Sequence, residues 1–171
     1  DVALWDILGK VHGVPVHRDV DFAAADAVAQ LRRYAPDLLF SFYYRNLLPA
    51  AVLEVQRLGA YNMHGSLLPK FRGRAPVNWV VLKGERETGA TLHLMVRRAD
   101  AGDIVDQEPV PIGPDDTAAE VQARVTRAAV AVLARQIEAL KAGTAPRRPQ
   151  DPARASTFGR RRPEDGRIDW Q

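Results

Sequence analysis

Asn62 and His64 stand two residues apart at the end of a short apolar run, Gly59 to His64. If that run is a strand, side chains at i and i+2 share a face. An amide that donates hydrogen bonds and an imidazole that titrates near neutral pH then stand together where strand gives way to loop. In an open parallel sheet, loops at the carboxyl ends of the strands form the ligand crevice. Gly65, Pro69 and Gly73 follow and break regular structure, as a loop should. A carboxylate near such an imidazole would favour its charged form. Asp100, on the turn Ala99-Asp-Ala-Gly102, is one candidate, and Asp103 and Asp106 compete with it. His12, His17 and His93 read as structural or exposed, the common state of a lone histidine.

Other chemistries find little support. The chain has no cysteine, which removes disulfides and thiolate metal sites. It contains neither Gly-x-Gly-x-x-Gly nor a P-loop, so nicotinamide and ATP are not implied. Ser66, His64 and Asp100 could be imagined as a hydrolytic triad, but no Gly-x-Ser-x-Gly elbow is present and Ser66 lies only two residues from His64.

The elements that must position these residues follow from periodicity. Val2, Trp5 and Leu8 have helical spacing, Val14-Pro-Val16 reads as a short strand, and Phe22 to Tyr34 as a helix capped by Asp21. Asp37 to Tyr43 is a compact apolar run, as expected of a buried parallel strand. A helix over Ala50 to Leu58 leads to the strand Gly59 to His64. Pro76 to Leu82 should be helical, with proline in its first turn. Thr88 to Val96 and Ile104 to Ile112 read as strands. Thr117 with Glu120 makes a capping box. The helix it starts runs to about Lys141, with Val121, Val125, Ala129, Leu133, Ile137 and Leu140 on one face. Trp79 reads as core. Alternating strands and helices predict an α/β fold, a Rossmann-like open and mostly parallel sheet.

At 171 residues the chain is long enough for one domain with its own core. Its formal charge of +3 is carried after Gly143, where seven arginines meet four acidic residues; the first 142 residues balance at zero. The division is thus a catalytic domain over 1–142 and a Pro/Arg-rich, solvated linker over 143–171. A neutral body argues against a nucleic-acid partner. No run has the roughly 18 apolar residues of a membrane span, and no signal peptide opens the chain, so a cytoplasmic location is expected.

Asn62-x-His-Gly-Ser-Leu-Leu-Pro-x-Phe-Arg-Gly73 resembles the signature of formyltransferases that use 10-formyltetrahydrofolate. Arg74-Ala-Pro-Val-Asn-Trp79, Glu87-Thr-Gly-Ala-Thr-Leu-His93, Arg97-Arg-Ala-Asp-Ala-Gly-Asp-Ile104 and Thr157-Phe-Gly-Arg-Arg-Arg-Pro163 resemble one branch. That branch is the UDP-4-amino-4-deoxy-L-arabinose formyltransferases of lipid A modification and polymyxin resistance. The resemblance runs from about Leu4 to the end. It implies the catalytic set Asn62, His64 and Asp100, with Asn62 serving a tetrahedral oxyanion, His64 donating a proton and Asp100 assisting proton transfer. It also implies that 10-formyltetrahydrofolate enters as co-substrate, with no metal. Asn46, Leu47 and Leu48, together with Val96, Arg97, Arg98, Ala99 and Asp100, would line its pterin pocket, and Arg74 would contact it from the signature loop.

The resembled family opens with a strand–loop–helix unit before the first helix seen here, which predicts an N-terminally truncated product. It continues into a small β-rich subdomain, whose start Ile168-Asp-Trp170 resembles, and in bifunctional members into a decarboxylase domain; a homo-oligomer is also compatible. Methionyl-tRNA formyltransferase is the alternative with the same chemistry. It usually carries His-Pro-Ser where this chain has His64-Gly65-Ser66, and it lacks the Arg-Ala-Pro-x-Asn-Trp run. A non-catalytic remnant is the other alternative, because a sheet without one inner strand exposes an apolar edge.

Overall fold

A computed structural model describes residues 26–44 and 46–168. The predicted segments Val2 to Gly9 and Val14-Pro-Val16, the start of the helix at Phe22 and the strand from Ile168 into Trp170 fall wholly or partly outside them. The described chain begins in helix α1 (Ala27–Tyr34), then strand β1 (Leu38–Phe42) and a single turn of helix, α2 (Ala50–Leu53). Strand β2 (Gly59–His64) leads into the signature loop, which contains a two-residue strand, β3 (Arg72–Gly73). Helix α3 (Pro76–Leu82), strands β4 (Glu87–Leu94) and β5 (Ile104–Pro111), and the long helix α4 (Ala118–Ala142) follow. A short strand, β6 (Thr157–Phe158), lies between two 3-10 turns near the end.

The four long strands form one sheet in the order β1-β2-β4-β5. Strand β1 runs parallel to β2, whereas β2–β4 and β4–β5 are antiparallel. The fold is α/β and Rossmann-like, and the pairing among the described residues is mixed. The apolar run of β1 does form a parallel strand, but it is half-buried along its length, because it is the sheet's edge among the described residues.

Alternation in β2 and β4 separates a core face from a polar face. Tyr61 and Met63 of β2, with Ala90 and Leu92 of β4, are buried against α4. Val121, Val125, Ala128, Ala129, Val132 and Leu140 supply the helix side of that core. The predicted stripe is right in direction; Val132 is buried and Leu133 packs at its edge. Burying each of the valines and the leucine contributes about 1.5–3 kcal/mol. The helix begins as expected: Thr117 Oγ1 accepts from Glu120 N–H, and Glu120 Oε2 accepts from Thr117 N–H at 2.8 Å. Gly143, at φ 71°, ends it.

The stretch after Gly143 departs from the solvated linker that its composition predicts. Arg148 makes a bridge with Ile104, N–H to carbonyl in both directions at 2.8 and 2.9 Å. Further on, β6 pairs in parallel with β3, Arg72 with Thr157 and Gly73 with Phe158. Trp79 belongs to this docking rather than to the core: its indole N–H donates to the Gly159 carbonyl at 2.9 Å and its ring lies against Phe158. Composition reports how well a segment is solvated. It does not report the backbone groups that a two-residue strand leaves open for pairing. No helix among the described residues is long and apolar enough to cross a membrane.

Candidate active site

The polar face of the sheet carries the site. Asn62 and His64 point to it from β2, and the register sets Asn62 opposite His93 and His64 opposite Thr91 on β4. Cross-strand partners share a face, so four polar side chains stand together over a strand pair whose other side is core. The β4–β5 register slips between Leu92 and His93, an irregularity that re-aims side chains and favours functional sites.

Asp100 completes the group from the turn after β4. Its Oδ1 lies 3.4 Å from Asn62 Nδ2, 3.4 Å from His93 Nε2 and 3.7 Å from His64 Nδ1, while Oδ2 accepts from Gly73 N–H at 2.8 Å. Of the three competing carboxylates, Asp100 therefore sits at the imidazoles. Asp106 is bound instead by Arg135 and Gln136 of α4. Asp100 reaches this place with φ at 50°, and Phe71 and Ala75 of the signature loop are left-handed too. Each such non-glycine residue costs about 1–3 kcal/mol, and the strain concentrates where function fixes geometry.

Each imidazole is fixed through one nitrogen. A carbonyl only accepts, so His64 Nε2 carries the hydrogen it gives to Phe71 O at 2.8 Å, and His93 Nδ1 the hydrogen it gives to Leu94 O at 2.9 Å. The remaining nitrogens, His64 Nδ1 and His93 Nε2, both face Asp100. Burial lowers the pKa of His64 more than the charge of Asp100 raises it, so the neutral ring is favoured and Nδ1 presents a lone pair. Burial alone would push the Asp100 carboxyl up. A hydrogen bond from His93 Nε2, which needs a second proton on that ring, the charge of a protonated His64 and the Gly73 N–H instead bring it down to about 2. The two directions are coupled: His64 stabilises the anion only while protonated, which its burial opposes. Near neutral pH the anion rests chiefly on the Gly73 and Asn62 donors.

Asn62 Nδ2 also lies 3.2 Å from His93 Nε2. Its two amide hydrogens are thus directed at His93 and Asp100, and an incoming oxyanion must take one of these long bonds. Ser66 is no nucleophile here, since its hydroxyl donates to Lys70 O at 2.7 Å and anchors the loop. Thr91 holds that loop further: Oγ1 donates to Ser66 O at 2.6 Å and accepts from Leu68 N–H at 3.2 Å and Gln107 Nε2 at 2.9 Å.

Two residues of this site escape a reading by type. His93, expected to be structural or exposed, is buried with Nε2 on Asp100. A signal existed: Thr91 and His93 are polar at alternating positions in the second half of the strand, between Ala90, Leu92 and Leu94, which marks a functional face as well as a solvated one. Gln150, in the stretch read as linker, donates from Nε2 to the carbonyls of Asp100 at 2.9 Å and Gly102 at 2.7 Å. No local pattern distinguishes it.

The loop positions lie at the rim. Asn46 and Leu47 are exposed and Leu48 is half-buried; Val96, Arg97, Arg98 and Ala99 are exposed. The chain leaves β1 for residues 46–48 at the end where β1 adjoins Met63, and leaves β4 for residues 96–99 at the end that adjoins Tyr61. These are opposite ends of β2. Arg74 is exposed, with its backbone N–H on Phe158 O at 3.1 Å. No group of three or more His, Cys, Asp or Glu among the described residues is placed to hold a metal ion.

The sequence pattern of the family described as "Formyl transferase" matches residues 16–137. Among solved structures, the chain is similar to the N-formyltransferase of Helicobacter canadensis in complex with folinic acid and dTDP-3-aminofucose. Identity is 27% and the TM-score 0.65, over 74% of this chain and 48% of that one. It is also similar to HypX of Aquifex aeolicus in complex with tetrahydrofolic acid, at 25% identity and a TM-score of 0.76, over 89% of this chain and 26% of that one. A sugar N-formyltransferase from a Shewanella species shares the fold at 23% identity and a TM-score of 0.72, over 82% of this chain and 55% of that one. The chain thus spans about half the length, or less, of these proteins.

Proposed function

The chain belongs to the formyl transferase family, and from that premise we propose that it moves a formyl group from 10-formyltetrahydrofolate to the amine of a nucleotide-linked amino sugar. The acceptor proposed is UDP-4-amino-4-deoxy-L-arabinose, on the strength of the Arg74-to-Trp79 and Arg97-to-Ile104 motifs. The observation that carries the reading is the meeting of Asn62, His64 and Asp100, with Asp100 Oδ1 at 3.4 Å from Asn62 Nδ2 and 3.7 Å from His64 Nδ1.

In the proposed reaction the neutral amine attacks the formyl carbon on the folate N10. A nitrogen–carbon bond forms, and the carbonyl electron pair moves to oxygen, giving a tetrahedral oxyanion. Asn62 donates to that oxygen by giving up its bond to Asp100 or His93. The attacking nitrogen becomes positively charged and loses a proton to Asp100 or to the free Nδ1 of His64. Collapse of the oxyanion breaks the N10–carbon bond, and N10 takes that same proton back from His64 Nδ1, which receives it from the amine directly or from Asp100 across the 3.7 Å between them. The products are the formamido sugar and tetrahydrofolate. Fixing Nε2 of His64 on Phe71 O supports this role, because it leaves one defined nitrogen to move the proton. For the folate, the contacts proposed are residues 46–48 and 96–100, with Arg74 at the edge; the two loops leave opposite ends of β2, and Asp100, 3.4 Å from Asn62 Nδ2, is the residue that brings the second back to the site.

The domain division proposed is a catalytic body over 1–142 followed by a segment that docks on it. The test is a formyl-transfer assay with 10-formyltetrahydrofolate and, in parallel, the UDP-amino sugar, dTDP-linked amino sugars and charged methionyl-tRNA. Turnover with the UDP sugar alone is expected. Turnover with the tRNA would overturn the acceptor, and none with any of them would overturn the activity.

A further inference from the structure

The segment after Gly143 reaches the site through one side chain. We propose that Gln150 is a positioning residue, the clamp that sets where the Asp100 carboxylate stands. The inference rests on Asp100 serving the proposed reaction, but the placement itself can be read without it.

The Gln150 amide is saturated. Its Nε2 gives its hydrogens to the carbonyls of Asp100 and Gly102, and its Oε1 accepts from Arg72 Nε at 3.1 Å and Nη2 at 2.6 Å. The orientation is fixed by chemistry, because reversing the amide would set an oxygen against two carbonyls and an NH2 group against a guanidinium. Arg72 is buried, with 4% of its surface exposed, so its guanidinium has little water to fall back on.

These bonds close a circuit. Gln150 holds the backbone of Asp100. The Asp100 carboxylate accepts from Gly73 N–H. Gly73 follows Arg72 in β3, and the Arg72 side chain returns to Gln150. The circuit pins a turn that is not comfortable by itself. Asp100 is left-handed, and Gly102 is needed because a side chain there would collide with the Leu94 carbonyl. Gln150 touches no reacting atom. Its own position is set by the Arg148–Ile104 bridge on one side and, on the other, by Ser156, whose carbonyl accepts from Arg72 N–H at 2.8 Å and whose hydroxyl accepts from Phe71 N–H at 2.9 Å. Asp100 also faces His64 of β2 and His93 of β4, so its ionisation reports on the whole arrangement.

The experiment compares Gln150→Ala, the isosteric Gln150→Glu and Ser156→Ala in the full chain. The glutamate variant keeps an acceptor for Arg72 but puts oxygen against the Asp100 and Gly102 carbonyls. Ser156→Ala removes only the hydroxyl bond to Phe71 N–H; the Ser156 carbonyl stays on Arg72 N–H and all four Gln150 bonds remain, so it loosens the docked segment without removing a bond of the clamp. Titration of the Asp100 carboxyl carbon by 13C NMR is expected to show its pKa rising toward the ordinary carboxylate range in both Gln150 variants and not in Ser156→Ala. With formyl transfer as readout, kcat should fall about tenfold or more in both Gln150 variants, with KM for the acceptor near that of the parent. An Asp100 titration unchanged in Gln150→Glu and Gln150→Ala would overturn the clamp, whatever the activity. So would losses in Ser156→Ala equal to those in the Gln150 variants. Absence of transfer in the parent chain would sink the proposed function while leaving the NMR result to decide the clamp.

Discussion

The signature loop and the segment after Gly143 meet as two short strands, β3 and β6, yet they are built on different terms. The loop works through side chains: Asn62 and His64 bring chemistry, Ser66 and Thr91 fasten the turns, and glycine at 73 leaves room for the Phe158 carbonyl, which a side chain would strike. The segment works mostly through its backbone, using the carbonyls of Ser156 and Phe158 and both main-chain groups of Arg148. Side chains are written in a sequence and backbone pairing is not. One region is therefore readable as a site, and the other resembles a solvated tail until it is seen docked.

The contrast is broken most sharply in the loop. Asn62→Ala should lower the rate of formyl transfer by about 10²–10³-fold, the usual cost of one lost oxyanion donor, with the fold retained and a smaller loss of stability from the donor withdrawn from Asp100. A rate within a few-fold of the parent would remove Asn62 from the chemistry. In the docked segment the expectation is reversed. Phe158 stacks on Phe71 with centroids 4.8 Å apart and lies 5.2 Å from the Trp79 ring. Phe158→Ala should cost stability, about 0.5–1.5 kcal/mol for each ring contact, as read by urea unfolding. The backbone pairing should nevertheless persist, so the Arg72 and Arg74 amides should stay protected in hydrogen exchange. Rapid exchange there would mean that rings, not backbone, hold the segment.

Acid should sharpen the loop's role. His64 has a folded pKa below 6.5, so the unfolded chain binds its proton more readily. Its contribution to stability is complete above 6.5 and declines as the pH falls toward the folded value. Asp100 adds in the same direction, present above 3.8 and lost as the pH drops through about 2. Stability should therefore fall on acidification below 6.5, and His64→Asn should flatten the first part of that fall in unfolding midpoints taken from pH 7.5 to 5. A helix cap far from both regions provides the smallest effect and a control. Thr117→Ala should destabilise by about 1 kcal/mol and leave kcat and the pH profile where they were.

Much of this architecture is visible in the residues. The period-2 run Gly59 to His64, the capping box at Thr117 and the stripe on α4 each report a local rule, and local rules survive folding. Asn62 and His64 are brought together by a strand's geometry alone. Asp100 came through its motif, because three carboxylates lay in reach and only the fold shows that the turn after Leu94 curls back over β2. His93 stayed hidden because its alternation with Thr91 reads equally as a solvated face, and its partner Asn62 is 31 residues away. The antiparallel entry of β4 beside β2 was likewise beyond periodicity, which fixes a strand's faces but not its direction.

The most direct measurement is a formyl-transfer time course with 10-formyltetrahydrofolate and UDP-4-amino-4-deoxy-L-arabinose, run on the parent chain and on Asp100→Asn. The variant keeps the shape of the turn and, with its oxygen on Gly73 N–H, that hydrogen bond, but it gives up the acceptor that Asn62 uses and cannot take a proton. The account predicts formamido sugar from the parent and a loss of two orders of magnitude or more, about the scale of a removed general base, from the variant. Equal rates from the two proteins would contradict it, because the carboxylate at the meeting point of Asn62, His64 and His93 would then have no part in the reaction.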